Sequence, residues 1–287
     1  MMGGFFASGQ SHFNSGIHHR LMRSFLNGHL VDAPCISVLD EGLLYGYGVY
    51  ETLRVYSGVP FRQGEHVRRL RASAEKIEMA VPSEKKLNDA IGKTVDENGL
   101  SEAALRVVLT AGAKSDWGNA EPSLLVLAKA LSPVKASFKA ITVPFHRDVA
   151  QAKSLNCLTA VMARKRAAQA GCDEAVFRIG RSVLEGTTSN VFSLQGDVLT
   201  TPKDGVLEGV TRNAVIGISK ELGLSVYEGP LMYDSLLKAD ESFITGTLKE
   251  IVPLSELDGK PLKQGPFVGK LQTAFSELVH REIQRKK

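Results

Sequence analysis

The segment Leu207-Glu208-Gly209-Val210-Thr211-Arg212 runs a glycine-containing turn straight into a helical pattern. The first backbone N–H groups of such a helix have no intrahelical acceptor and lie at the positive end of the helix dipole. Together they suit a phosphate. Most turns of this kind bind nothing, so the segment alone decides little. Thr245-Gly246-Thr247 ends a strand-like run and offers a hydroxyl and an amide to the same anion. Other signals are missing: the chain has no GxxxxGKS/T, no HExxH and no GxSxG. Gly46-Tyr47-Gly48 is half of a dinucleotide fingerprint with no third glycine at the required spacing. It leads into a strand rather than a helix, and reads as a turn.

Alternating strand and helix patterns must hold these groups in place. Gly48–Tyr56 is rich in β-branched and aromatic residues and ends in a Ser57-Gly58 turn. Val67, Leu70, Ala74 and Ile77 recur at steps of three and four and predict a helix over 65–80, stopped near Pro82. Ser83 and Gly99 bracket a second helix as N-cap and C-terminal stop. Three strand-like runs follow, at 104–110, 124–130 and 138–145, and complete a strand-rich block. PFHRDVA, residues 144–150, breaks the pattern and marks a domain boundary, giving domains over 22–145 and 151–287. The second half reads as a helix over 158–170 and short strands at 175–179, 182–184, 191–194 and 198–200. A helix over 211–222, strands at 224–227 and 241–245 with a helical turn near Ser235 between them, and a turn at Asp258-Gly259 come next. Val268, Leu271, Phe275, Leu278, Val279 and Ile283 form the stripe of a last helix.

The chain has 287 residues, a formal charge of +4 and 23% charged residues. So small an excess excludes the broadly basic surface that nucleic-acid binding needs. No run approaches the roughly 18 apolar residues of a membrane span. Cys35, Cys157 and Cys172 form no CxxC pair, so neither a disulfide framework nor a structural metal site is expected, and a reducing, intracellular setting is. Residues 1–31 contain no Asp or Glu. Residues 1–21 read as a flexible leader, or as an extension ahead of a start at Met22. An organelle transit peptide is the less favoured alternative, because the amphipathicity is weak.

Several blocks then occur in a fixed order: DEGLLYGYGVYETLRVY, FRQGEHVRRL, KSLNCL, GCDEAVF, VLEGTTSNVF, LEGVTRNAVI and ADESFITGTLKEIVPL. In these blocks the chain resembles the class IV pyridoxal-phosphate enzymes, which include branched-chain aminotransferases, D-amino-acid aminotransferases and aminodeoxychorismate lyases. The resemblance runs from about Phe25 to the C-terminus. It implies an α/β (α+β) fold of two domains, fold type IV, with pyridoxal 5′-phosphate between them.

The resemblance also implies roles. Lys153, opening the K-x-x-N block, would carry the cofactor as a Schiff base and then shuttle a proton. Without the block, Lys153 reads as a solvated surface charge. Glu185 would pair with the pyridine nitrogen and keep the ring an electron sink. Without the block it reads as an exposed hairpin acid. Asn190 would hold the same loop. Arg69, the Val210 and Thr211 amides and Thr247 would meet the phosphate. Arg69 lies about 100° from the centre of its helix's apolar stripe, so periodicity alone calls it solvated, while His66 lies nearer the stripe and reads as structural. Tyr45, Tyr50, Arg54 and Arg106 are candidates for the substrate pocket, with Arg106 a carboxylate partner. Arg54 and Arg106 read equally well as ordinary strand residues.

Substrate recognition is where the match loosens. Cys157 stands where branched-chain enzymes usually carry tyrosine, and their I-R-P strand is absent. The R-x-H pair of the D-amino-acid enzymes is missing from residues 110–122. The expected reaction is transamination between an apolar, branched-chain-like L-amino acid and a 2-oxo acid, by a cytoplasmic homodimer that needs no metal. Elimination of pyruvate from aminodeoxychorismate, D-amino-acid transamination, and a fold that binds without catalysis are the alternatives.

Overall fold

The computed structural model describes residues 22–113, 121–145 and 149–287. The leader at 1–21, most of the segment searched for R-x-H and the middle of PFHRDVA lie outside the described residues.

The first half begins with a hairpin, β1 (Ser24–Leu26) and β2 (His29–Val31), then a short helix α1 (Glu41–Tyr45). β3 (Gly48–Tyr56) and β4 (Val59–Pro60) lead into helices α2 (Gln63–Lys76) and α3 (Glu84–Asn98). β5 (Ala103–Thr110) and β6 (Ser123–Lys129) complete a six-stranded sheet in the order β2-β1-β6-β5-β3-β4. The Ser83 hydroxyl accepts from the Lys86 N–H at the start of α3, and Gly99 closes it at φ 59°. Both ends follow from the sequence.

β3 shows why the sheet has two different faces. Side chains alternate along a strand. Val49, Leu53 and Val55 therefore turn toward α2 and α3, where they meet Val67, Leu70, Leu87 and Ile91 in a buried cluster. Glu51 shares that inward phase. Tyr50, Thr52 and Arg54 occupy the other face, with Arg106 opposite Thr52 on β5.

The second half contains β7 (Phe138–Pro144), α4 (Leu158–Gln169), β8 (Glu174–Ile179), β9 (Ser182–Gly186), β10 (Asn190–Gln195) and β11 (Val198–Thr201). It continues with α5 (Val210–Glu221), β12 (Ser225–Glu228), β13 (Leu231–Met232) and α6 (Tyr233–Lys238). β14 (Glu241–Gly246), β15 (Glu250–Leu257), β16 (Lys260–Pro261) and α7 (Phe267–Gln284) end the chain. The main path of this larger sheet is β12-β11-β10-β14-β15-β7-β8-β9-β13.

One expected strand is placed differently. The run at 138–145 forms as β7, but it belongs to the larger sheet, parallel to both β8 and β15. Parallel neighbours need a long crossover. α4 supplies it, packing Ala163 and Ala167 against Val143, Ala175 and Phe177. α2 starts two residues earlier than expected and ends at Lys76 instead of reaching Ala80. The β1–β2 hairpin, α1 and β15 are additions to the sequence reading. β15 contains Pro253, which pairs with Phe243 and obscures the strand pattern in the sequence.

The halves are joined by specific contacts. Arg54 pairs with Glu250 at 2.8 Å, and the Tyr56 hydroxyl donates to the same carboxylate at 2.6 Å. Arg62 reaches Glu282 on α7 at 2.8 Å. Phe61 packs edge-on to Phe275 with centroids 5.9 Å apart. None of the described helices is long and apolar enough to cross a membrane.

Candidate functional site

Lys153 is delivered to the first half by backbone pairing. Its segment lies along the start of β3, with a bridge between Val49 and Ser154. The Tyr50 N–H donates to the Lys153 carbonyl at 2.9 Å, and the Leu155 N–H donates to the Gly48 carbonyl at 2.8 Å. The approach requires glycine at 48, where a Cβ would lie 2.6 Å from both the Leu109 carbonyl oxygen and the Leu155 side chain. On α2, the Ser73 hydroxyl accepts from the Lys153 N–H at 3.1 Å and donates to the Arg69 carbonyl at 2.8 Å. The Lys153 Nζ then sits 4.6 Å from the centroid of the Tyr50 ring.

Lys153 borders a cleft together with Arg69, Glu185, Val210, Thr211 and Thr247. The six residues expected to hold or work on the cofactor are thus gathered at one place from both halves. Val210 and Thr211 open α5, whose N-cap Gly209 provides no side-chain cap, so the first amides of the helix are left for a ligand.

Arg69 is not solvated. Its Nε and Nη2 donate to the two oxygens of Glu51 at 2.7 and 2.8 Å, and its Nη1 donates to the Glu208 carbonyl at 2.8 Å. His66 Nδ1 lies 2.8 Å from the same Glu51 carboxylate. Glu51 is 1% exposed. Burial opposes its ionisation, but the Arg69 charge and the bonds from Arg69 and His66 outweigh burial and hold it far below the usual carboxylate range. Burial, together with the Arg69 and Lys153 charges, lowers His66 against the pull of Glu51, so His66 is a neutral donor. Burial also disfavours the Arg69 charge, and Glu51 overcompensates. The sequence reading missed Glu51, the partner that holds Arg69 in place. The available signal was a carboxylate in the inward phase of an apolar strand.

Glu185 is 3% exposed, and its Oε2 accepts from the Leu207 N–H at 3.0 Å. Asn190, directly opposite Glu185 across the β9–β10 hairpin, donates from Nδ2 to the Leu207 carbonyl at 2.8 Å. Leu207 is thereby clamped on both sides, and the carboxylate is fixed in orientation. The turn between them is held by Glu174, which accepts from the Ser189 hydroxyl at 3.0 Å, from Lys249 at 2.8 Å and from the Thr187 hydroxyl. Burial disfavours ionised Glu174, but Lys249 and these bonds keep it lower than usual.

The remaining candidates stand apart from the cleft wall. Arg106 lies 3.9 Å from the centroid of the Tyr50 ring, so one aromatic ring links it to Lys153. Arg54 is engaged by Glu250 and stacks on Tyr56 at 4.5 Å. Tyr45 projects from α1 at 60% exposure. The Cys157 Sγ lies 3.8 Å from the Tyr50 hydroxyl.

The cleft suits a planar cation-forming ring with a phosphate arm. It combines a fixed carboxylate, a primary amine, a guanidinium and the free end of a helix. Its wall also tolerates no extra bulk: at Gly209 a Cβ would lie 2.2 Å from the Asn190 Oδ1. Gly209→Ala is expected to push Asn190 off Leu207 and to lower stability by about 1–3 kcal/mol, as read from denaturant midpoints.

A family description, amino-transferase class IV, matches residues 48–257. The putative branched-chain-amino-acid aminotransferase of Methanocaldococcus jannaschii is 38% identical over 278 residues, covering 90% of this chain and 96% of its own. The D-alanine aminotransferase of Listeria monocytogenes is 32% identical over 280 residues, covering 91% and 97%. The T.th. branched-chain amino acid aminotransferase, solved with pyridoxamine 5′-phosphate, superposes with a TM-score of 0.85 at 30% identity, over 91% of this chain and 95% of that one.

Proposed function

We infer the reaction from one premise: the chain belongs to the class IV aminotransferase family, whose members use pyridoxal 5′-phosphate. When bound, that cofactor supplies a carbonyl that takes up amines and a ring that accepts electrons. The protein transfers an amino group from an apolar, branched-chain-like L-amino acid to a 2-oxo acid. The observation carrying this reading is the convergence of Lys153, Glu185 and the phosphate donors on one cleft.

Each side chain has a defined task. Glu185, steered by the Leu207 amide, would face the ring nitrogen and favour its protonated form. Arg69, the start of α5 and Thr247 hold the phosphate. The Lys153 amine would take the proton from the substrate α-carbon and deliver it to the cofactor C4′. Arg106, beyond the Tyr50 ring, receives a substrate carboxylate. Arg106→Ala is expected to raise KM for the 2-oxo acid about tenfold, the worth of one charge-assisted hydrogen bond, with a smaller effect on kcat.

The branched-chain preference is supported by the 38% identical relative. A panel of L- and D-amino donors with 2-oxoglutarate tests it, read by cofactor absorbance and product. Turnover of L-leucine, L-valine or L-isoleucine is the expected result. Conversion of D-donors alone, or release of pyruvate from aminodeoxychorismate without a new amino acid, overturns it.

The same reading includes a homodimer in the cytoplasm. Leu39, Leu43, Leu44 and Tyr45 around α1, with Leu158, Val161 and Met162 on α4, are large apolar residues left exposed on the single chain. Light scattering at twice the chain mass is the expected result. The three cysteines are all unpaired, in keeping with a reducing compartment.

A further inference from the structure

Thr245 lies in β14 and is 1% exposed, and its hydroxyl has no hydrogen-bond partner among the described residues. Such groups are uncommon in folded proteins and call for a reason. The Ser219 hydroxyl shares the condition, but of the two only Thr245 borders the cleft.

The sheet register explains where this hydroxyl stands. Asn190 is directly opposite Glu185 on one side and Thr245 on the other. Opposite residues of antiparallel strands present their side chains to the same face. Glu185, Asn190 and Thr245 therefore form one row across three strands. At about 4.8 Å per strand, the ends of the row are about 10 Å apart. The first two members are committed to Leu207. The third stands in a wall shared with Arg69, Val210, Thr211 and Thr247. All of these offer donors, so the group that completes the set is an acceptor.

We propose that the Thr245 hydroxyl donates a hydrogen bond to the phosphoryl group of the bound cofactor. This rests on the reading that the phosphate lies at the start of α5 while Glu185 faces the ring. A buried hydroxyl with no acceptor inside the protein is then ready to donate when the anion enters.

The test uses full-length enzyme stripped of cofactor and titrated with pyridoxal phosphate, pyridoxal and inorganic phosphate. Thr245→Val removes the hydroxyl with little change of shape. It is expected to weaken pyridoxal phosphate and inorganic phosphate about tenfold each, equal to about 1.4 kcal/mol, and to leave pyridoxal unchanged. Thr245→Ser, which keeps the hydroxyl, is expected to bind both phosphates as the wild type does. The melting midpoint of cofactor-free Thr245→Val should equal or exceed that of the wild type, because no internal bond is lost. Wild-type affinity of Thr245→Val for both phosphates overturns the proposal, as does an equal loss for pyridoxal. Wild-type protein that binds pyridoxal as tightly as pyridoxal phosphate overturns the placement of the phosphate itself.

Discussion

Lys153→Ala should fold normally and lose transamination by at least about 10⁴-fold in kcat, the upper range for a positioned acid–base group. The fold should survive because the segment is fixed by its backbone. The bonds from the Tyr50 N–H, to the Gly48 carbonyl and to the Ser73 hydroxyl do not involve the side chain. What is lost is an amine beside the Tyr50 ring, facing the same cleft as Glu185. Lys153→Arg should be equally inactive, since a guanidinium does not give up its proton near neutral pH. Borohydride reduction followed by mass spectrometry should place a pyridoxyl group on Lys153 of the wild type and nowhere in the alanine variant. Activity within tenfold of wild type in Lys153→Ala would remove the basis for the whole site.

The second large effect concerns Glu51, which no pattern of catalytic residues would pick out. Glu51→Ala strands a guanidinium whose two donors it accepted, and removes the partner of buried His66. Breaking one side of a buried pair costs about 3–5 kcal/mol, which urea midpoints would resolve. Glu51→Gln should lose less, because its amide oxygen still accepts from Arg69. Acid titration separates the two groups. In the unfolded chain a glutamate takes up its proton near pH ~4.3. Folded Glu51 stays ionised far below that, so its contribution is present above pH ~4.3 and is lost as the pH falls further. Folded His66 also resists protonation, whereas an unfolded histidine accepts a proton near pH ~6.5, so its share begins to fall there. Wild-type stability should therefore decline in two stages on acidification, and the lower one should be smaller in Glu51→Gln, the remainder coming from other carboxylates held low, Glu174 among them. An unchanged lower stage in that variant would mean that Glu51 is not the ionised partner of Arg69.

Glu51 also shows where the sequence stopped being legible. A helical stripe reports what one helix buries against its neighbours, and by that measure Arg69 belonged in solvent. Its partner is 18 residues earlier, on a strand whose inward phase was apolar except at that position. Only the packing of α2 on β3 brings the two together. Leu207 as a clamp and the unsatisfied hydroxyl of Thr245 are hidden from the sequence for a similar reason: both come from strand register and from a turn closing over the cleft.

The local devices were legible in the residues alone. Ser83 and Gly99 set the limits of α3, β-branched and aromatic residues marked β3, and the ordered blocks around Lys153, Glu185 and Thr211 pointed to the chemistry by family resemblance. The helix limits and the strand are short-range properties, governed by hydrogen bonding and side-chain character within a few residues, whereas the chemistry of the blocks is what the family resemblance implies. The tertiary structure decided which sheet received β7 and which carboxylate met Arg69. It also decided that one lysine from the second half would lie along a strand of the first. Such pairings join residues far apart in the chain, and they are selected by how whole faces bury against one another rather than by any local pattern.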